Sequence, residues 1–223
     1  MARNNGFQFR KPRYAVKNHS RRRFLYEIWV DYIIPVIGLL SLLAVTPLFL
    51  LVYVIQRLTG DSGPFLFKQQ RTGYKGKKFT IYKIRTMSVG AEKSTSLGTN
   101  DTSPQVTKLG RILRKLKIDE LPQLYNIING DMTIVGPRPI PLKLEEELSK
   151  NILQFDRRFK VKGGLTSIGQ ICVYDNGLDE DLIEDWKIRF HGELHYIENQ
   201  SFVYDVVLIA MTIIFIIKKL IKK

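Results

Sequence analysis

A chain of 223 residues accommodates one domain, or one domain with appendages. Lysine and arginine outnumber the acids 35 to 21, a formal net charge of +14, which points to an anionic partner: nucleic acid, nucleotide or an acidic membrane face. The single cysteine, Cys172, excludes an internal disulfide and a cysteine-based zinc frame, and no internal repeat is visible.

Residues 1–26 are polar and basic, with Arg3, Arg10, Lys11, Arg13, Lys17, Arg21, Arg22 and Arg23 and no acid before Glu27. Such a tail suits anionic membrane lipids, each basic residue near the surface adding about 1 kcal/mol. It does not read as a signal peptide, because the apolar run behind it is too long and no small-residue cleavage site follows. Residues 27–58 form the hydrophobic centre. Ile28 to Ile55 carries one charge, Asp31, and two prolines, Pro35 and Pro47. A straight helix of that length measures about 42 Å against a hydrocarbon core of about 30 Å, so a tilted spanning helix fits by length. Both flanks are basic, however, with Arg21-Arg22-Arg23 before and Arg57, Lys68 and Arg71 after. The positive-inside rule then asks for both ends in the cytoplasm. Pro47 removes a backbone hydrogen bond in mid-segment, and Thr46 can offer its hydroxyl to a freed carbonyl. A re-entrant helix-hairpin, bent at Thr46-Pro47, satisfies both constraints.

After the Gly60-Asp-Ser-Gly-Pro64 break, Phe65 to Arg71 and Lys78 to Arg85 flank a Gly73-Tyr-Lys-Gly76 turn and read as a β-hairpin. Alternation places Lys83 and Arg85 on one face, solvated by default. Residues 88–106, rich in Ser, Thr, Gly, Asn and Asp, read as a long loop or lid. Leu109, Ile112, Leu113 and Leu116 then recur at helical spacing, with Lys108, Arg111, Arg114, Lys115 and Lys117 around them. That basic amphipathic helix suits either a core or the membrane interface. Leu142–Gln154 predicts an amphipathic helix, Lys160–Gly169 a glycine-rich backbone loop of a kind that approaches a ligand, and Asp181–Asn199 a further helix. His191 and His195 lie one turn apart, but the residue order of a zinc protease is absent. Residues 201–223 close the chain with an apolar run, Phe202 to Ile217, that ends in Lys218-Lys219 and Lys222-Lys223. At about 24 Å it is short for a span and would carry Asp205 into the bilayer. An interfacial helix is the better fit.

Between these elements, Asp119 and Glu120 follow the basic helix directly. Nearby cations lower a carboxylate's pKa, so both acids are expected ionised, as nucleophile, base or ligand for a hard cation. The plain alternative is a helix start, with Asp119 as N-cap and Pro122 in the first turn. Further on, Gly136-Pro-Arg-Pro139 is a stiff turn, since Pro137 and Pro139 lock their own φ and extend their predecessors. Arg138, held between them, loses little freedom when it grips a phosphate.

In order, the chain contains Thr46-Pro47, Phe67-Lys-Gln-Gln-Arg71, Phe79-Thr-Ile-Tyr-Lys-Ile-Arg-Thr-Met87, Leu116-Lys-Ile-Asp-Glu-Leu-Pro-Gln-Leu124, Gly130-Asp-Met-Thr-Ile-Val-Gly-Pro-Arg-Pro139 and Tyr196-Ile-Glu-Asn-Gln-Ser201. With these words it resembles the monotopic phosphoglycosyl transferases, the bacterial sugar transferase family, from about Asp31 to the C-terminal helix. The resemblance implies a mostly helical α/β fold: a re-entrant membrane helix-hairpin over 27–58, a small cytoplasmic α/β domain over 59–200 and interfacial amphipathic helices, the last over 201–223. It implies transfer of a phospho-sugar from a UDP-sugar to polyprenol (undecaprenyl) phosphate with release of UMP and use of Mg²⁺, at the cytoplasmic face of the bacterial inner membrane. Asp119 would be the nucleophile, and Glu120 would assist through the metal or as base. Both would serve as metal ligands, and Lys83, Arg85, Arg114 and Arg138 in its Pro137–Pro139 turn would hold phosphate. Three departures stand out: Lys162-Gly-Gly-Leu-Thr-Ser167 where the family usually has Lys-Pro-Gly-Ile-Thr-Gly, Thr46 where serine is common, and Glu193 or His195 where an Asp often stands.

The competing reading is a catalytically silent membrane scaffold of a glycan assembly complex, against which the dyad, the basic residues and the Pro-Arg-Pro word stand together. A nucleic-acid binder explains the charge, but no recognition motif appears and no nucleic acid is expected. A homo-oligomer is compatible with all of this.

Overall fold

Ser20–Ile28 (α1), a π-helical turn at Trp29–Ile33 and Ile34–Leu58 (α2) follow one another without a break in the computed structural model, which describes residues 20–60, 62–91, 103–173 and 182–221. The basic tail up to residue 19 and residues 92–102 of the expected lid lie outside the described residues. The stretch Phe24–Leu58, 35 residues, is long and apolar enough to cross a membrane. Pro47, the expected bend of the hairpin, lies inside α2, which runs through it as one helix, and an irregular turn lies earlier, at 29–33. Thr46 Oγ1 donates to the Leu42 carbonyl at 2.8 Å. That is one residue before Leu43, the carbonyl deprived of its partner by Pro47, so the hydroxyl bonds the preceding turn without filling the gap.

One side of this long helix is covered by the remainder of the chain. Before Pro47, Trp29, Ile34, Ile37, Leu42 and Val45 join Phe79, Ile81, Leu124, Ile127 and Met132. After it, Leu48, Phe49 and Val52 join Phe65, Ile84, Leu109, Leu113 and Ile118. Gly38 lets the helix close on Ile127, since a Cβ there would lie 3.2 Å from its Cγ2. Away from this seam, Val36, Leu39, Leu40, Leu43, Leu50 and Leu51 are exposed.

The hairpin forms as its pattern predicts: Leu66–Thr72 (β1) pairs antiparallel with Lys78–Ile84 (β2), joined through a 3-10 turn at Tyr74–Gly76. With only two strands, β2 has a bare edge. Asn126, fully buried in Leu124–Ile128 (α4), covers it by donating to Thr80 O at 2.7 Å and accepting from Tyr82 N at 3.3 Å. Between hairpin and α4 comes Lys108–Lys115 (α3), whose N-cap is Thr107, accepting from Gly110 N at 2.9 Å.

Met132–Val135 (β3) pairs in parallel with Gly163–Thr166 (β4), a strand where the sequence pattern predicts only a loop. Its glycines explain the close fit. A Cβ on Gly164 would lie 2.1 Å from Gly136 N, and one on Gly163 would lie 2.6 Å from the Pro139 ring. Leu142–Asn151 (α5) is shorter than predicted and ends before Gln154, which has left-handed backbone at φ 59°. Ile168–Val173 (α6), Leu182–Glu198 (α7) and Phe202–Ile221 (α8) complete the chain.

Asp205, the acid of α8, lies on the helix face turned to the rest of the chain. It is buried and accepts from Tyr26 Oη at 3.0 Å and Trp29 Nε1 at 3.3 Å, while Tyr196 Oη shares its one proton between Asp205 Oδ1 at 2.8 Å and Val135 O at 2.9 Å. The first helix, α7, α8 and the end of β3 thus meet on one carboxylate. Replacing Asp205 by Ala strands these donors and should cost about 2 to 4 kcal/mol, with a smaller loss for Asn. Thermal unfolding in detergent measures it, and a wild-type midpoint for the Ala variant would show that apolar packing alone holds α8.

Candidate active site

Helix α3 ends at Leu116, and Lys117 takes left-handed backbone at φ 59°, an unfavourable choice for a residue with a Cβ. The chain is thereby redirected into a 3-10 segment, Ile118–Gln123, that packs on β2 and carries the dyad. Asp119 and Glu120 are both buried. The helix-start alternative is set aside, because Asp119 caps no backbone N–H.

Glu120 is fixed from two directions. Arg138 donates to both of its oxygens, through Nη2 to Oε1 and through Nη1 to Oε2 at 3.3 Å, a forked ion pair. Lys83 donates to Oε1 at 3.1 Å. Burial by itself would raise the Glu120 carboxyl, but Arg138, Lys83 and Lys117 together outweigh it and hold the group well below the usual carboxylate range. Asp119 behaves in the opposite way. Burial, and then the Glu120 charge beside it, push its carboxyl up, and Lys83, Lys117 and Arg114 only partly offset them. The expectation that cations hold both acids down is therefore corrected for Asp119. Its Oδ1 is buried with no hydrogen-bond partner among the described residues.

The Pro137–Pro139 turn that presents Arg138 has its own brace. Arg158 and Glu193 form a buried ion pair at 2.9 Å. Glu193 Oε1 accepts the Arg138 backbone N–H at 3.1 Å, and Arg158 Nη2 donates to the Arg138 carbonyl at 2.7 Å. Arg158 also lies over the Phe155 ring at 4.8 Å and the Trp186 ring at 5.6 Å. Both backbone groups of Arg138 are thus claimed, leaving its side chain to Glu120. Glu193, noted in the sequence only as a departure from the family's usual Asp, accepts from this turn; Arg158 went unnoticed in a run of basic residues.

The remaining candidates divide. Arg114 acts on Asp119 and donates from Nε to Thr86 Oγ1 at 2.9 Å. Arg85 stands apart from Lys83: β2 ends at Ile84, so the alternation stops before it, and its guanidinium donates to the carbonyls of Pro64 at 2.7 Å and Met87 at 3.1 Å. A further guanidinium, Arg71, lies within electrostatic reach of Arg138 and Glu120; burial first, then Arg138, push it down to about 9. Among the described residues no cluster of three or more His, Cys, Asp or Glu is present.

Against known families, the model described as bacterial sugar transferase matches residues 23–219. The chain belongs to the bacterial sugar transferases. It is 34% identical over 168 residues to the UDP-N-acetylgalactosamine-undecaprenyl-phosphate N-acetylgalactosaminephosphotransferase of Aeromonas hydrophila, which covers 75% of this chain and 38% of that protein. It is 34% identical over 167 residues to the UDP-glucose:undecaprenyl-phosphate glucose-1-phosphate transferase of Caulobacter vibrioides, 75% of this chain and 61% of that one. With the Bacillus subtilis sugar transferase EpsL it shares 38% over 155 residues, 67% of this chain and 68% of that one. This sugar transferase therefore spans less than two thirds of the Aeromonas and Caulobacter proteins.

The split dyad makes a stability prediction. Asp119 has a folded pKa raised above its unfolded value, so its ionised form opposes folding at neutral pH. Stability from this group falls as pH rises from the unfolded value through the raised one. Asp119→Asn should therefore raise the thermal midpoint at pH 7.5 in metal-free buffer, by about 2 °C or more, while the advantage shrinks below pH 4. A lowered midpoint at pH 7.5 would mean the cations around Asp119 depend on its charge.

Proposed function

We propose that this sugar transferase moves a sugar-1-phosphate from a UDP-sugar to undecaprenyl phosphate in two displacements at Asp119. The observation that carries the reading is the division of labour in the dyad. Glu120 is tied to Arg138 and Lys83, whereas Asp119 keeps an oxygen free of hydrogen bonds and is destabilised as an anion. A carboxylate held in an ion pair is a poor nucleophile; one left unpaired in a buried site is a better one. The names of the Aeromonas and Caulobacter relatives give undecaprenyl phosphate as acceptor and differ in the sugar, which supports the lipid class and leaves the sugar at the level of a UDP-sugar.

In the first displacement an Asp119 oxygen forms a bond to the sugar-bearing phosphorus. The bond from that phosphorus to the bridging oxygen breaks, and UMP leaves with the electron pair. In the second, a phosphate oxygen of undecaprenyl phosphate attacks the same phosphorus, and the Asp119 carboxylate departs. Lys83, Arg114 and Arg138 hold the phosphoryl oxygens and offset the charge that develops on them. The donor set also suits Mg²⁺, which is held by one or two carboxylates with substrate phosphates completing its shell. Asp119, with its unclaimed Oδ1, would be the chief protein ligand and Glu120 the second, and the ion would add Lewis-acid polarisation of the phosphoryl group.

Intact-protein mass spectrometry after brief incubation with a UDP-sugar and Mg²⁺, without acceptor, tests this directly. The expected result is up to one UMP released per chain, with a phosphosugar retained on Asp119; Asp119→Asn should abolish both. No adduct under conditions of active turnover would indicate direct attack by the lipid phosphate instead.

The membrane arrangement we propose is re-entrant, on the cytoplasmic face. Support comes from the contacts on either side of Pro47, where the same domain covers Ile34 to Val45 and Leu48 to Val52. A helix crossing the bilayer would carry one of these halves away from that domain. The exposed apolar residues of α2 and α8 would then enter one leaflet together. Cysteines placed at Asn5 and Asn100 should both resist an impermeant thiol reagent applied to intact cells; labelling of one of them alone is the outcome that excludes re-entrance.

A further inference from the structure

One buried cation has no role in the transfer described so far. Arg71 sits near the end of β1, opposite Phe79 in the hairpin, and its backbone bridges to Pro141 just beyond the Pro-Arg-Pro turn. Its residue is only 6% exposed. The guanidinium donates from Nη2 to Gln69 Oε1 at 2.6 Å, a neutral acceptor, and its Nε is buried without a hydrogen-bond partner among the described residues. No carboxylate among the described residues forms an ion pair with it, and Glu120, the acid that acts on it, is already engaged by Arg138 and Lys83. A buried guanidinium so placed is costly to keep unless an anion arrives to use it.

The surrounding charges indicate where that anion belongs. Lys117 and Arg114 act on Asp119, and Lys117 on Glu120 as well. Glu120 stands in the middle, with Arg138 upon it. Arg71 bridges by its backbone to Pro141, two residues beyond the turn that carries Arg138, and Arg138 and Glu120 are the charges that act on it, so it lies on the Arg138 side of the dyad. A diphosphate whose sugar-bearing phosphorus meets Asp119 extends its other phosphate toward Arg138 and Arg71.

We infer that Arg71 is a further substrate-holding residue of this site, receiving beside Arg138 the nucleoside-side phosphate of the donor, the group that leaves. This rests on the transferase reading above. As the bond to the bridging oxygen breaks, negative charge accumulates on that phosphate, and a guanidinium fixed there beforehand gains more in the transition state than in the ground state. Its planar fork suits two phosphate oxygens, a geometry that lysine lacks.

Titration of UMP into the full chain in detergent, by calorimetry, tests the assignment with Arg71→Met and Arg71→Lys. Arg71→Met should bind UMP about 10- to 100-fold more weakly, the loss of hydrogen bonds to a charged group. Its thermal midpoint should equal or exceed that of the wild type, because an unpartnered buried charge has gone. Arg71→Lys should fall between, retaining charge without the fork. A folded Arg71→Met protein that binds UMP as tightly as the wild type overturns the inference. So does an Arg71→Met protein that fails to fold together with an Arg71→Lys protein of wild-type affinity, since Arg71 is then structural. If the Met variant fails to fold and the Lys variant binds weakly, the inference stands on the Lys variant. Wild-type protein that does not bind UMP at all removes the transferase reading itself, a failure distinct from that of Arg71.

Discussion

The ion pair between Glu120 and Arg138 joins the two halves of the candidate site. Glu120 arrives on a 3-10 segment held by α3, β2 and α4, and Arg138 arrives on the turn that follows β3. Neither element alone has enough structure to position a charge: one is six residues long, and the other is a turn between two prolines. What makes the pairing rigid is that each partner is braced from behind. Lys83 holds Glu120 from the hairpin, and the Arg158–Glu193 pair claims both backbone groups of Arg138. Pairs of this kind contribute little net stability when desolvation is counted, yet leaving one partner alone is severe. Their value here lies in fixing geometry.

The same pair decides the character of Asp119. Two carboxylates side by side in a buried place cannot both be stabilised by a limited set of cations. Glu120 takes Arg138 and most of Lys83, so Asp119 meets burial and like-charge repulsion with weaker compensation. Specialisation into a fixed anion and a reactive one follows from where the cations are tethered, and requires no difference in chemistry between aspartate and glutamate. The left-handed backbone at Lys117, two residues before Asp119, is a local cost of the kind that tends to cluster at functional sites.

Much of this was readable from residue order, and the exceptions have physical causes. The hairpin, the basic helix and the stiff turn are encoded locally, by alternation, by helical spacing and by proline, and each forms where its pattern lies. Strand β4 escaped because four residues opening with two glycines carry no alternation; their meaning is steric, and only the approach of Gly136 and Pro139 reveals it. Arg85 does not share the face of Lys83, because the period-2 pattern ends with the strand one residue before it. Arg158 and Glu193 are 35 positions apart, and a buried ion pair over such a separation leaves no local signature. Arg71 lay inside a recognised word, but nothing in the word tells a solvated arginine from a buried one.

The long helix extends this reasoning from the site to the bilayer. Its length, about 52 Å if straight, exceeds what a span of about 30 Å requires, so length alone places no constraint on topology. The constraint is that the dyad and the helix share a wall. Ile118, adjacent to Asp119, packs in the same cluster as Leu48, Phe49 and Val52, while Phe79 and Ile81, on the strand that carries Lys83, pack with Ile34. Moving either half of α2 away from the domain would uncover the apolar floor beneath the dyad and Lys83. At the other end of the chain, Asp205 ties α8 to Tyr26 and Trp29 of the same helical stretch and, through Tyr196, to Val135 just before the Pro-Arg-Pro turn. The surfaces left apolar on α2 and α8 therefore belong to the same rigid frame that holds Arg138. A lipid-borne phosphate need not find a soluble pocket and then a membrane. The frame that orients the charges of the candidate site also presents an apolar face, along which, on the proposed reading, such a substrate would approach.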